Sequence, residues 1–171
     1  MSSDTLQIRR GRPSDITAIH RLVQEQAQHH NVPLTDIQNT PEDMAHDAFG
    51  EDTFFRFFVA HPPEQPDNIL GAAIYYFTYS TWKGRSIYLE DLIVRQGMRG
   101  LGIGKQLFEA LVDETQRLKV AKLKWQVAED NAGAIRFYER YDVAFDSDWI
   151  DCVLTRPDII AISQQEEERD R

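Results

Sequence analysis

The stretch SIYLEDLIVRQGMRGLGIGKQLFEAL, Ser86 to Leu111, constrains this chain more than any other. It reads as an apolar strand, a glycine-rich turn and an amphipathic helix in direct succession. That succession calls for a sheet with a helix packed back on it. Gly100, Gly102 and Gly104 bring bare backbone close to whatever lies at the turn. Two familiar phosphate patterns fail here. A P-loop needs glycine where Arg99 stands and a hydroxyl where Gln106 stands. A dinucleotide fingerprint begun at Gly100 needs glycine where Lys105 stands. A third pattern, Arg/Gln-x-x-Gly-x-Gly/Ala between strand and helix, is met by Arg99, Gly102 and Gly104. Such a turn lets successive N–H groups face an anion, the helix adds its positive end, and Arg99 and Lys105 add cationic side chains. A plain glycine turn capping a buried helix accounts for the same residues.

The rest of the chain fits a sheet with helices around it. Strands are expected over Leu6–Arg10, Thr53–His61, Ile69–Thr78, Ser86–Val94, Lys122–Val127 and Trp149–Leu154. Leu123, Trp125 and Val127 should point inward. Helices are expected from Pro13 to about His30, from Pro41 with Thr40 as cap and Gly50 just past the end, from Gly102 to Leu118, and after Asn131. The order is strand, two helices, three strands, helix, strand, helix, strand. It implies an α/β (α+β) fold: one domain with a mixed, mostly antiparallel central sheet and helices on both faces. The 171 residues suit one domain, taken as 1–162. The polar tail 163–171, SQQEEERDR, should be frayed or disordered.

Net charge is −9, which argues against nucleic acid as a partner and suits a cationic substrate. No apolar run is long enough to span a membrane, and the N-terminus lacks a secretory h-region. Together with a single cysteine, these features favour a cytoplasmic protein without a membrane partner. The five histidines show no metal-ligand spacing, so no metal is expected. Cys152 lies in an apolar run with no nearby histidine and reads as a buried structural thiol rather than a nucleophile.

The glycine turn resembles the pyrophosphate loop of the GNAT acetyltransferases. YYFTYSTWKGRSIYLEDLIV (Tyr75–Val94), DAFGED and NAGAIRFYER are similar to the diamine N-acetyltransferase branch of that family, which includes spermidine/spermine and thialysine acetyltransferases. The resemblance runs from Ile8 to Leu154, and YSTWKGR looks more like the thialysine type. It implies direct transfer of acetyl from acetyl-CoA to a primary amine of a small molecule, in a ternary complex, by a homodimer. Within the same fold the alternatives are a protein or peptide amine as acceptor, or a regulator that binds acyl-CoA without turnover.

Such chemistry needs an uncharged amine, donors for the carbonyl oxygen as charge builds on it, and a proton for the departing thiolate. Glu90 lies in an apolar strand, which should raise its pKa and suit it as the base. Asp91 would face the opposite side if the strand is regular. Residues alone leave either acid open; the resemblance selects Glu90. Tyr138 reads from its helix as an amphipathic core tyrosine; the resemblance makes it the general acid. The resemblance further implies that the backbone of Leu92, Ile93 and Val94 pairs with the pantetheine arm, and that Arg99, Gly100, Leu101, Gly102, Ile103, Gly104 and Lys105 hold the pyrophosphate. Asn131, Ala134 and Tyr138 would complete the cofactor contacts, although Asn131 is equally an N-cap. Glu90, Tyr76, Trp82, His29 and Asp148 would make an acidic, aromatic amine pocket. Two departures from the family stand out. His29 and His30 replace an aromatic residue and an acid, and RYDVAF lacks a glycine soon after Tyr138.

Overall fold

Dense runs of aromatic and β-branched residues, such as Phe57–Val59 and Ile74–Tyr79, make the middle of the chain a set of strands. In the computed structural model, which describes residues 6–146 and 150–169, four strands form an antiparallel meander. They are β1 (Gln7–Arg10), β2 (Arg56–His61), β3 (Gly71–Ser80) and β4 (Gly84–Val94). A short β5 (Leu123–Lys124) joins β4 in parallel, so the sheet order is β1-β2-β3-β4-β5. The helices are α1 (Ile16–His29), α2 (Pro41–Phe49), α3 (Ile103–Leu118), α4 (Ala132–Glu139) and α5 (Arg156–Arg169). The expected α/β class and the mixed, mostly antiparallel sheet are both present. The residues fall into two compact units, Met1–Gln126 and Val127–Arg171. The first holds the whole sheet with α1 to α3. The second holds α4 and α5.

The pleat of β3 sorts the core of the first unit into two layers. Ala72 and Ile74 join Phe57, Val59 and Ile93 beneath Ile16, Ile19 and Leu22 of α1 and Met44 and Ala48 of α2. On the opposite face Tyr75 stacks on Phe58, with ring centroids 5.7 Å apart. A Cβ on Gly71 would come within 3.1 Å of Leu107 of α3 and 2.7 Å of the Ile93 carbonyl, so α3 sits close against this end of the sheet. Ile19 and Leu107 are fully buried, each contributing about 1.5–3 kcal/mol over an exposed side chain.

Local chemistry sets the helix starts. Thr40 and Asp43 form a capping box: Thr40 Oγ1 accepts from the Asp43 N–H at 3.1 Å, and the Asp43 carboxylate accepts from the Thr40 N–H at 3.2 Å. Ahead of α1, Pro13–Asp15 makes a tight 3-10 turn. Asp15 anchors that turn. It is 2% exposed and accepts from Arg9 at 2.6 and 2.8 Å and from the Arg12 N–H at 2.7 Å. Burial pushes its carboxyl up, but these bonds and the two arginine charges outweigh that and hold it below the ordinary carboxylate value.

Several expectations need correction. The strand expected over Trp149–Leu154 is absent from the described part: residues 150–154 are irregular, and Ile150 and Val153 are exposed. The run joins no ladder among the described residues, and an extended segment without a ladder is not a strand. Trp149 itself lies outside the described residues. Within the tail, residues 163–169 are helical rather than frayed, as the end of α5. Its Glu, Gln and Arg residues cannot build a core but are good helix formers. Asp158, accepting from the Thr155 N–H and hydroxyl, fixes the start of that helix. The pairing of β5 covers only two residues, although Leu123, Trp125 and Val127 do alternate as half-buried with exposed neighbours. Cys152 is exposed, not buried.

Candidate active site

The register of β3 against β4 slips at one point, and that slip shapes the site. Ile74 partners Asp91 and Tyr75 partners Leu89, leaving Glu90 as the extra residue of a β-bulge. Ile74 and Tyr76 lie on the face that carries α1 and α2, and their partners are Asp91 and Tyr88. Counting on from Tyr88, Glu90 returns to that face, and the slipped register puts Asp91 there as well. The two carboxylates therefore stand side by side. The expectation that they face opposite sides holds only for a regular strand, and β4 is not regular here.

Each carboxylate has its own partners. Asp91 Oδ1 accepts from Gln26 Nε2 of α1 at 2.9 Å. Burial raises the Asp91 carboxyl, while the Gln26 bond and positive charge at His30 oppose the rise. Glu90 has an exposed surface, yet loss of solvent around its carboxyl raises it, the Asp91 charge adds to the rise, and a hydrogen bond from Tyr76 offsets part of it. Tyr76 is raised in turn by burial and by Glu90, and its ring stacks on Tyr88 at 5.2 Å. Gln26 is absent from the residues expected at the site. The signal was available: it falls four residues after buried Leu22, on the apolar stripe of α1, where a polar side chain needs a reason.

At the other end of β4, a 3-10 turn at Gln96–Met98 leads into the glycine turn. Gly100 and Gly102 both have φ of +79°, a conformation that L side chains rarely adopt, and Gly102 is the N-cap of α3. The first N–H groups of α3 thus open onto the turn. Arg99 donates to the Val94 carbonyl at 3.3 Å, and Lys105 lies 2.7 Å from Glu109, one helical turn on, so both cations start from tethered positions. On the outer edge of β4, β5 pairs only with Ile87 and Tyr88. From Leu89 to Val94 that edge has no strand partner among the described residues. A free strand edge beside Glu90, ending at a left-handed glycine turn and a helix N-terminus, fits an amide-bearing arm that carries a diphosphate.

The remaining expected residues are placed as follows. His29 ends α1 exposed, its ring 5.4 Å from that of His30. Trp82 is 86% exposed at the tip of the β3–β4 hairpin, where Ser80 Oγ accepts its N–H at 3.3 Å. Asp148 lies outside the described residues. In the second unit Asn131 Oδ1 accepts from the Ala134 N–H at 3.0 Å, so the N-cap reading of Asn131 is realised and the Ala134 amide is engaged. Tyr138 on α4 is buried, and desolvation pushes its phenol up to about 12. A pocket of about 220 Å³ lined by Arg10, Phe49, Phe55, Arg56, Phe57 and Tyr75 lies past the end of β1 and contains none of the expected site residues.

Comparison with known proteins bears on the family and the fold. The acetyltransferase (GNAT) family model matches residues 17–142. A thialysine N-epsilon-acetyltransferase of Bos taurus is 34% identical over 138 residues, covering 77% of this chain and 80% of that protein. An L-ornithine N5-acetyltransferase of Arabidopsis thaliana is 26% identical, covering 92% and 87%. Among solved structures, an integron cassette protein from V. cholerae superposes with a TM-score of 0.74 at 19% identity, over 94% of this chain and 98% of that one, which supports the fold. With its bulged β4, glycine turn and α3, this chain belongs to the GNAT family and is an acetyl-CoA-dependent N-acetyltransferase.

Proposed function

We propose that the chain acetylates a primary amine of a small molecule, either a diamine or polyamine or an amino acid of the thialysine or lysine kind. The observation that carries this reading is the pair of acids that the β4 bulge sets on one face, beside Tyr76 and Tyr88. Two carboxylates and two rings attract an alkylammonium in a chain whose net charge is already −9. The names of the Bos taurus and Arabidopsis relatives point to the same class.

Acetyl-CoA, the cosubstrate, supplies the activated acetyl thioester. The glycine turn and the first N–H groups of α3 bind its diphosphate, and the free edge of β4 orders the arm along Leu92, Ile93 and Val94. Glu90, its carboxyl already raised, takes one proton from the ammonium, directly or through water. Tyr138 gives its proton to the departing sulfur and regains the second proton that nitrogen loses. A phenol near 12 is too weak an acid to protonate a thiolate once the C–S bond has already broken, so its proton moves as that bond breaks. In the same reading 1–162 is the catalytic domain and the chain works as a homodimer in the cytoplasm.

The test is an acetylation screen over putrescine, spermidine, thialysine, lysine, ornithine and a peptide panel, with release of free coenzyme A as the signal. Steady turnover with small amines is expected. Turnover with peptides alone would move the acceptor to protein amines, and acetyl-CoA binding without turnover on any acceptor would remove the catalytic reading.

A further inference from the structure

The side-by-side acids raise the question of which one carries the reactive proton. Glu90 and Asp91 share a face only because of the bulge, and two neighbouring carboxylates titrate as a pair. Their surroundings are unequal. Asp91 receives the Gln26 amide at 2.9 Å and faces His30 from the same helix, whereas Glu90 meets the Tyr76 hydroxyl from β3 and Asp91 itself. Gln26 is committed to this task. With its Nε2 on Asp91, its Oε1 is buried and has no partner among the described residues. An amide turned the other way would set oxygen against carboxylate, so the orphaned acceptor marks an orientation imposed by Asp91.

We propose that Gln26 is a positioning residue for the reaction: its amide N–H holds Asp91 as the permanently ionised member of the pair, so that Glu90 is the member that takes and releases the substrate proton. The proposal rests on the reading of Glu90 as the base. With the Gln26 donor removed, half-buried Asp91 lacks that donor to stabilise its anion and takes up a proton more readily. A protonated Asp91 no longer repels charge on Glu90, which then ionises at lower pH. The effect runs from α1 to Glu90 through Asp91 and requires no contact between Gln26 and Glu90.

The experiment follows the Glu90 carboxyl by carbon-13 NMR in full-length protein labelled at glutamate side chains, the signal being identified by its loss in Glu90→Gln. Gln26→Leu, close in size and without the amide, should lower the Glu90 midpoint by about one pH unit. Asp91→Asn should lower it too, and Gln26→Leu should add nothing in the Asp91→Asn background. The acid limb of kcat/KM for acetylation of thialysine should move with the carboxyl. A merely structural role would lower the melting temperature and leave the Glu90 midpoint in place, and that result overturns the proposal while the base reading stands. So does an equal shift from Gln26→Leu with and without Asp91. A carboxyl that moves while the acid limb stays put removes Glu90 as the base, and the role of Gln26 goes with it.

Discussion

Asp15→Ala tests how the start of α1 is anchored, and hence how Gln26 is presented to β4. The carboxylate is 2% exposed and takes both Arg9 terminal nitrogens, at 2.6 and 2.8 Å, with the Arg12 N–H at 2.7 Å. Removing one partner of a buried ion pair costs about 3–5 kcal/mol, because the other charge is left buried alone. Arg9 keeps 16% side-chain exposure and a bond to the Pro66 carbonyl at 2.9 Å, which places the expected loss near the lower end, about 3 kcal/mol. For a chain of this size each kcal/mol moves the midpoint by about 2–4 °C, so thermal unfolding followed by circular dichroism at pH 7 should shift down by roughly 6–12 °C. The pH dependence gives a second reading. The folded Asp15 carboxyl is held below its ordinary value of about 3.9, so its contribution is fully present above that value and is lost as pH falls through the lower folded one. The gap between wild type and Asp15→Ala should be constant from pH 7 to 5 and close below about pH 4. A fall under about 2 °C, or the same fall in an Arg9→Met background, would refute the pairing as the source of the stability.

Other perturbations bear on the chemistry and on the local folding rules. Tyr138→Phe should cut turnover by about a hundredfold or more while acetyl-CoA affinity in calorimetry is unchanged; equal turnover removes Tyr138 as the acid. Gly102→Val forces a β-branched residue into φ of +79°, a strain of about 1–2 kcal/mol, and should weaken acetyl-CoA binding in the same titration. Unchanged affinity there would count against the glycine turn as the diphosphate site. Thr40→Ala removes the cap of α2 and should cost about 1 kcal/mol, a shift of about 2–4 °C in the melting midpoint. A shift several times larger would mean that Thr40 does more than cap.

Legibility followed the range of the interactions. The Thr40 cap, Pro41 at the first turn of α2 and the start of α3 at Gly102 are local, and each appears where the residue types put it. The glycine turn was legible for the same reason: a left-handed backbone at Gly100 and Gly102 needs those residues whatever the rest of the chain does. The relation of Glu90 to Asp91 was not. Alternation along one strand gives opposite faces, and only the register against β3 introduces the extra residue. The Asp15–Arg9 pair and the Gln26–Asp91 bond likewise join residues whose meeting depends on packing. Toward the C-terminus the apolar run at 150–154 suggested a strand, but periodicity along one segment does not determine whether it joins a ladder. The helix α5 was missed because a segment unable to build a core was taken to be unable to order.

The unequal sharing of the sheet has a kinetic consequence. Between β1 and β4 each strand pairs antiparallel with its neighbour in sequence, and β3 and β4 are separated by only the three residues 81–83. The β3–β4 contacts close quickly and β2 can add across residues 62–70, whereas β1 joins only across residues 11–55. β5 must instead wait for α3 to fold and cross over, and its reward is pairing at two positions. The ladder between β4 and β5 therefore completes late in folding and opens first in the native protein. The edge proposed to receive an extended arm thus lies beside the ladder with the fewest paired positions.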